Sequence, residues 1–456
     1  MWSRGNCPTL SWSRNLAASR AEPATVSRQR AQAWYRGGMR IRRLGAYGVL
    51  LAVVACGDSA GTGGSAVGGA SQAGGGGSGA SAGGGEGVGG AGDGGSIVVE
   101  PPTCVDAASL PAWRAGMAIG EWKLLASADL TVVTPSVAPG GGYYGRIDAW
   151  NGFGGDTVNS RVYLAGAGGH ADYAGNEAYV LDLTAAAPQW SLMMQPSPAS
   201  AYTIDEPYYT DGRPSPTHTY YSAWFIEQRA KFFRFPGGST WGSGNGNTPH
   251  IDSFDPALSA WDSAGTNPDL GPAPSYELPT AKNMLTGDVY QLQADNRLYR
   301  WSQETNTASD LGEAEGGSGS FYDLYASASV VDTANNRLIF FTDDANPGSA
   351  RVFDLATTEW SSEPLLGAEG PLVAGAEQGM AWFDSCAELI VLKPSVAGAV
   401  YLVDPTALTA TAFATSGEAP PDPLNGVHTL FQYMPKLGGY AYQPTHASKM
   451  YFLATQ

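Results

Sequence analysis

The sequence predicts an all-β fold, a six-bladed β-propeller, and three observations carry that prediction. Short β-forming runs recur in pairs separated by glycine-rich turns, as at 161–165 and 176–183. Aspartates recur after the third run of a unit, and tryptophans recur in the fourth. A unit of about 50 residues with four short strands is typical of a propeller blade. A β-sandwich is the alternative, but it gives no reason for these repeats.

The repeated positions can be followed through most of the chain. The aspartates are Asp182, Asp255, Asp354 and Asp404, with Asn306 predicted to mark a weak third unit. The tryptophans are Trp190, Trp261 and Trp360. Together with the Gly-Gly pairs at 168–169 and 237–238, these residues resemble those of kelch and galactose-oxidase-like propellers. The resemblance covers roughly residues 120 to 456 and implies the fold rather than an activity. Seven blades remain the alternative because the second interval is long.

The two ends of the propeller region complement each other. Residues 121–125 supply a tryptophan strand with no strands before it, whereas residues 428–453 supply three strands and no fourth. We therefore expect the N-terminal strand to complete the last blade. Such ring closure removes the free edges of a β-sheet.

The N-terminal part of the chain differs from the rest. Residues 1–38 are rich in arginine and are interpreted as an upstream extension of a true start at Met39. Residues 39–55 contain three arginines, an apolar run and then Cys56, which resembles a bacterial lipoprotein signal. The resemblance implies acylation of Cys56 and a lipid anchor in the bacterial cell envelope, periplasmic or at the cell surface. An ordinary signal peptide or a membrane anchor is the alternative, although about 12 apolar residues fall short of the ~20 that span a bilayer.

Composition defines the remaining domains. Residues 56–96 comprise the lipidated cysteine and a Gly/Ala/Ser-rich linker, which is predicted to be a disordered tether. Residues 97–456 form the predicted propeller, expected to be a monomer. The net charge of −17 argues against nucleic acid as a partner. Two cysteines of the exported domain, Cys104 and Cys386, are expected to form a disulfide.

All five histidines map to one face of the predicted propeller. The segments that open the first strands and the loops between second and third strands share a face, and these contain His170, His218, His250, His428 and His446. The predicted binding residues on this face are Arg146, His170, Asp172, Tyr173, Asn176, Arg213, His218, Tyr220 and His428. The alternative is that the histidines only join neighbouring blades.

Three functions are compatible with this face. The first is glycan binding, with tyrosines stacking on sugars and arginines pairing with acidic groups. The second is a polysaccharide lyase, with His170 or His218 as base, Tyr220 as acid and an arginine as neutraliser. The third is a protein–protein scaffold. Copper oxidation of the galactose oxidase kind is set aside because neither cysteine has a tyrosine partner on this face, and no metal or cofactor is predicted.

Overall fold

The computed structural model describes residues 104–105, 109–243, 246–272, 276–314, 326–342, 346–375 and 378–456. The predictions for the extension, the signal peptide, Cys56 and the linker lie outside the described residues. Those described form six sheets: five are antiparallel with consecutive strand order, and in the sixth the N-terminal strand lies between the last strand and a short parallel strand. Six blades are therefore confirmed, and the seven-bladed alternative is wrong.

Five of the sheets have four strands each, and the sixth has five. The strands are, blade by blade, β2 (Gly154–Asp156), β3 (Arg161–Ala165), β4 (Ala178–Asp182) and β5 (Trp190–Met194); β6 (Ala223–Ile226), β7 (Lys231–Arg234), β8 (Asp252–Asp255) and β9 (Ala260–Trp261); β10 (Thr280–Lys282), β11 (Val289–Leu292), β12 (Arg297–Ser302) and β13 (Thr307–Glu313); β14 (Ser329–Asp332), β15 (Arg337–Phe340), β16 (Ser349–Asp354) and β17 (Trp360–Pro364); β18 (Met380–Asp384), β19 (Leu389–Lys393), β20 (Tyr401–Val403) and β21 (Ala410–Ala412); and β22 (Ser416–Gly417), β23 (Phe431–Met434), β24 (Gly439–Tyr442), β25 (Met450–Ala454) and β1 (Glu121–Leu125). Among the residues that the structure describes, one short α-helix, α1, spans Gly370–Val373.

The N-terminal strand closes the ring, as predicted. β1 pairs antiparallel with β25, with Trp122 opposite Leu453. Trp122 is 1% exposed, so this strand supplies core packing as well as hydrogen bonds. The sequence did not predict β22, which covers the outer edge of β1 in parallel pairing.

The repeated aspartates are explained by the turns that follow the third strands. Asp255 Oδ1 accepts hydrogen bonds from the backbone N–H groups of Ala257 and Leu258. Asp354 Oδ1 accepts hydrogen bonds from the residues two and three positions after it in the same way. A short carboxylate can satisfy two backbone donors that the turn leaves unpaired. The prediction that Asn306 matches these aspartates is wrong. Asn306 lies four residues after Ser302, the end of β12, in the left-handed conformation.

The six first strands surround the propeller axis. Every residue in β2, β6, β10, β14, β18 and β23 is buried. The axis is filled lower down by Trp224 and Trp382, whose rings are 5.4 Å apart although they belong to the second and fifth blades. These two rings therefore fill the axis at that level, and we call the end of the axis on the histidine face the mouth.

A disulfide joins Cys104 to Cys386 in the turn between β18 and β19, across 282 positions of the chain. It fixes the segment before β1 to the fifth blade. In the described part of the chain, we find no helix with the length and apolar character that a membrane crossing requires.

Candidate functional site

Each blade is entered through a residue in the left-handed conformation, on the face that carries the histidines. These residues lie two to four positions before a first strand and have φ between 42° and 57°. We call the set the entry ring, and it consists of Trp150, Tyr220, Glu277, Ala326, Gln378 and His428. Left-handed conformations cost about 1–2 kcal/mol for a residue with a side chain. Strain of this kind clusters at functional sites.

Backbone hydrogen bonds connect most neighbours of the entry ring. Tyr220 N donates to Trp150 O at 2.8 Å, and Gln378 N donates to Ala326 O at 2.7 Å. Ala326 N donates to the carbonyl of Glu277, and His428 N to that of Gln378, at 3.3 and 3.2 Å. The six residues are thus held around the axis by the chain itself, whatever their side chains are.

The side chains of the entry ring form an aromatic half and a polar half. The ring of Tyr220 lies 6.5 Å from that of Trp150 and 5.4 Å from that of His428. On the other half, Gln378 Nε2 lies 3.5 Å from Glu277 Oε1. Beneath them Tyr221 crosses the axis, since its hydroxyl donates to Ala326 O at 2.7 Å. The mouth therefore has an aromatic side, a polar side and a closed floor.

A chain of three polar groups reaches from the surface to the entry ring. His218 Nε2 lies 3.1 Å from Asp172 Oδ2, and His218 Nδ1 lies 3.4 Å from the hydroxyl of Tyr220. The hydrogen bond from His218 lowers the pKa of Asp172, which is therefore ionised at neutral pH. An ionised acceptor requires a proton on Nε2, and in a neutral imidazole Nδ1 then accepts from the Tyr220 hydroxyl. We call Asp172, His218 and Tyr220 the relay.

His170 is the exposed member of this cluster. Its ring lies 6.1 Å from that of His218, and its Nδ1 is 3.9 Å from Asp172 Oδ2. The side chain is 46% exposed, whereas that of His218 is 6% exposed. His170 can therefore meet a ligand directly, while the relay lies behind it.

His428 is buried in a different way. It is 1% exposed and lies edge-on to Tyr220 and Tyr221. Neither of its ring nitrogens has a hydrogen-bond partner among the described residues. Burial lowers the pKa of His428 to about 3, so its imidazole is neutral at ordinary pH.

Three residues predicted to bind a ligand are buried, and the contacts of their side chains are with other protein groups. Arg146, Tyr173 and Asn176 are each at most 1% exposed. Arg146 lies eight positions before the first strand of its blade rather than opening it. Its guanidinium donates to the carbonyls of Leu130 and Val133 and to the Tyr179 hydroxyl, so it has no free edge for an acidic sugar.

The same buried network contains Tyr173 and Tyr179. Their hydroxyls donate to Glu177 Oε1 at 2.6 and 2.8 Å, and burial raises the pKa of Glu177. Asn176 donates to Ser197 Oγ at 3.0 Å. These contacts hold the loop that presents His170 and Asp172, so the predicted residues position the site without facing the ligand.

The remaining predicted residues lie apart from the relay. Arg213 donates to Gln195 O at 3.0 Å and lies 3.7 Å from Asp211 Oδ2. His250 Nδ1 lies 2.6 Å from Asp269 Oδ1. His446 is partly buried, and burial lowers its pKa to about 4. The structure thus brings together His170, His218 and His428, while the other two histidines of this face have different neighbours.

Sequence reasoning missed Trp150, Glu277 and Gln378. They share a backbone position but no residue type, so no motif marks them. Their shared feature is position in the folded chain, since each lies two to four residues before an observed first strand. Within the described residues, no group of three or more histidine, cysteine, aspartate or glutamate side chains could hold a metal ion.

A pocket opens on the face opposite the histidines. Its volume is about 450 Å³, and it lies between the first two blades. Tyr163 and Phe225 line it with rings stacked 5.0 Å apart, next to Met193. This pocket provides control positions for any experiment on the histidine face.

Comparisons with known proteins add no family. No family model matches the sequence, and no curated protein matches it. Among solved structures, a chain of the mitotic checkpoint complex gives a TM-score of 0.41 at 10% identity, over 71% of this chain and 95% of that one. PorZ, a bacterial surface component of the type-IX secretion system of Porphyromonas gingivalis, gives 0.36 at 12% identity, over 65% of this chain and 30% of that one. The six-bladed fold therefore rests on the sheet topology itself.

Proposed function

We propose that the mouth on the histidine face binds a carbohydrate. One observation carries the proposal: the partly exposed ring of Trp150 packs 5.2 Å from His218, beside the exposed His170 and the carboxylate of Asp172. Aromatic surface with a few convergent polar groups is the usual composition of a small-molecule site. A sugar ring can stack on the indole while its hydroxyls bond to His170 and Asp172.

The proposal is tested by ligand-induced stabilisation of the purified full chain. We expect at least one polysaccharide in a panel of neutral and acidic polymers to raise the melting temperature, because binding to the native state stabilises it. His170→Ala should abolish the rise, whereas Met193→Ala, in the pocket on the opposite face, should retain it. If no polymer stabilises a folded wild-type protein, glycan binding is wrong, and a protein–protein scaffold becomes the better proposal.

A polysaccharide lyase is the second candidate, favoured by the relay. His170 would abstract the proton next to a uronate carboxylate, and Tyr220, paired with His218, would protonate the departing glycosidic oxygen as the C–O bond breaks and the C=C bond forms. Arg146 and Arg213, the predicted neutralisers, have their guanidinium contacts elsewhere. The candidate predicts ultraviolet absorbance from an unsaturated uronate, lost in Tyr220→Phe. If incubation with polyuronates gave no ultraviolet absorbance, the lyase candidate would be wrong and glycan binding would be the remaining proposal.

The cellular address is a separate part of the proposal. A lipid on Cys56 would anchor the chain in the bacterial cell envelope, with the domain held by the glycine-rich linker. The support is the basic and apolar pattern that precedes this cysteine. Cys56→Ala should move the protein from the membrane fraction to the soluble fraction after export. Retention of the variant in membranes would contradict the anchor.

A further inference from the structure

The entry ring holds one acidic residue, Glu277, and none of its six positions holds lysine or arginine. Asp172, ionised at neutral pH, lies beside the ring through the relay. The carboxylate of Asp172 therefore places a negative charge at the mouth, and the ring has no lysine or arginine to offset it.

Three basic side chains on or near the histidine face donate hydrogen bonds to backbone carbonyls of the protein. Arg146 and Arg213 donate to carbonyls away from the mouth. Lys393 ends β19 on the same face, but its ammonium donates to the carbonyls of Pro394 and Val396 and lies over the ring of Tyr442. Burial also lowers the pKa of Lys393 to about 7, so it is a poor partner for an acidic group.

The aromatic half of the mouth has polar capacity that the protein does not use. Both nitrogens of His428 lack partners among the described residues, although the side chain is almost completely buried. A buried polar group without a partner is costly, and a ligand hydroxyl can both donate to an imidazole nitrogen and accept from its N–H. The neutral imidazole offers such hydrogen bonds without offering charge.

We propose that the ligand of the histidine face is an uncharged, hydroxyl-rich carbohydrate, and that Asp172 selects against carboxylated and sulfated glycans. This inference rests on the proposed function and narrows its ligand class. An acidic sugar in the mouth would place a second anion near the carboxylate of Asp172. Such like-charge contacts discriminate strongly between otherwise similar partners.

The test uses two polymers that differ only in charge: a polyuronate, and the same polymer with its carboxyl groups reduced to primary alcohols. Calorimetric titration of the full chain should give affinity for the reduced polymer that is at least about tenfold higher. Raising the salt concentration should narrow the difference, because salt screens repulsion. Asp172→Asn should also narrow it, by improving binding of the polyuronate, whereas Met193→Ala should not.

The outcomes separate this inference from the proposed function. Equal or tighter binding of the polyuronate, lost in His170→Ala, would overturn the selection against charge and leave glycan binding intact. If the folded protein bound neither polymer and no neutral glycan, both the selection against charge and the proposed glycan binding would be overturned. Loss of binding in Met193→Ala but not in His170→Ala would place the ligand on the opposite face, which also overturns both.

Discussion

His218 and Asp172 form a hydrogen-bonded pair across 46 positions of the chain, with 3.1 Å between Nε2 and Oδ2. The pair joins the loop between β3 and β4 to the segment that leads into β6, so it links the first two blades at the mouth. It also orients the imidazole, because a ring held by Asp172 through Nε2 presents Nδ1 to the Tyr220 hydroxyl. One contact therefore contributes to both the stability and the chemistry of the site.

Asp172→Asn should lower stability at neutral pH and make it less dependent on acid. The hydrogen bond from His218 holds the pKa of Asp172 below its usual value in the folded protein. A lowered carboxyl pKa contributes stability that is present above the unfolded pKa, about 3.9, and is lost as the pH falls through the folded value. In urea titrations, the free energy of unfolding of the wild type should exceed that of the variant by more at neutral pH than at about pH 3. An equal advantage at both would contradict this role.

The blades could be predicted because their signals are local. Asp255 and Asp354 cap turns through bonds to residues two and three positions away, so the chemistry repeats wherever the turn repeats. The closing strand was also predictable, since an unpaired strand at one end matches a missing strand at the other. Asn306 was misplaced because it shares the turn with the aspartates but occupies its left-handed position.

The site was less predictable because burial is set by distant parts of the chain. Arg146 has the residue type of an anion-binding group, yet the carbonyls that occupy it belong to a segment 13 to 16 residues away. The entry ring depends on a backbone conformation that Trp150 and Gln378 share without any similarity of side chain. Residue types identified the face, but only the folded chain separates the residues that contact solvent from those that support them.

His428→Phe should stabilise the protein and weaken ligand binding. Phenylalanine keeps a ring between Tyr220 and Tyr221 and removes two buried nitrogens that have no hydrogen-bond partner. Each buried polar group left without a partner costs about 1–3 kcal/mol. The lowered pKa adds a pH effect. Folded His428 stays neutral while the unfolded imidazole takes up a proton below about pH 6.5, so acid destabilises the native state.

Chemical denaturation at about pH 7 and pH 5 checks this prediction. The wild type should lose more stability between these pH values than His428→Phe does. His446→Phe is the matched control, because the pKa of His446 is also lowered but this residue is not part of the entry ring. That variant should show a reduced acid effect with unchanged ligand affinity. A less stable His428→Phe protein at pH 7 would mean that the imidazole has a polar partner.

Removal of the disulfide should destabilise the whole propeller. The bond between Cys104 and Cys386 closes a loop of 282 positions, and loss of such a cross-link costs about 2–5 kcal/mol. The double variant Cys104→Ser/Cys386→Ser should therefore unfold at lower denaturant. A reductant should lower the midpoint of the wild type to that of the variant and leave the variant unchanged. Identical midpoints under oxidising conditions would show that the cross-link adds no stability.

Trp122→Ala should be among the most destabilising single substitutions in the chain. Trp122, the second residue of β1, is 1% exposed, and its ring lies 6.2 Å from that of Tyr442. Removal of a buried tryptophan costs about 3–5 kcal/mol, and here it also loosens the strand that closes the ring. Leu258→Ala is the control, since Leu258 is 73% exposed and should change stability by no more than about 0.5 kcal/mol. Deletion of residues 118–126 should have a larger effect than Trp122→Ala, because it frees the edge of β25 as well. A deletion variant with wild-type stability would refute closure of the propeller by its N-terminal strand.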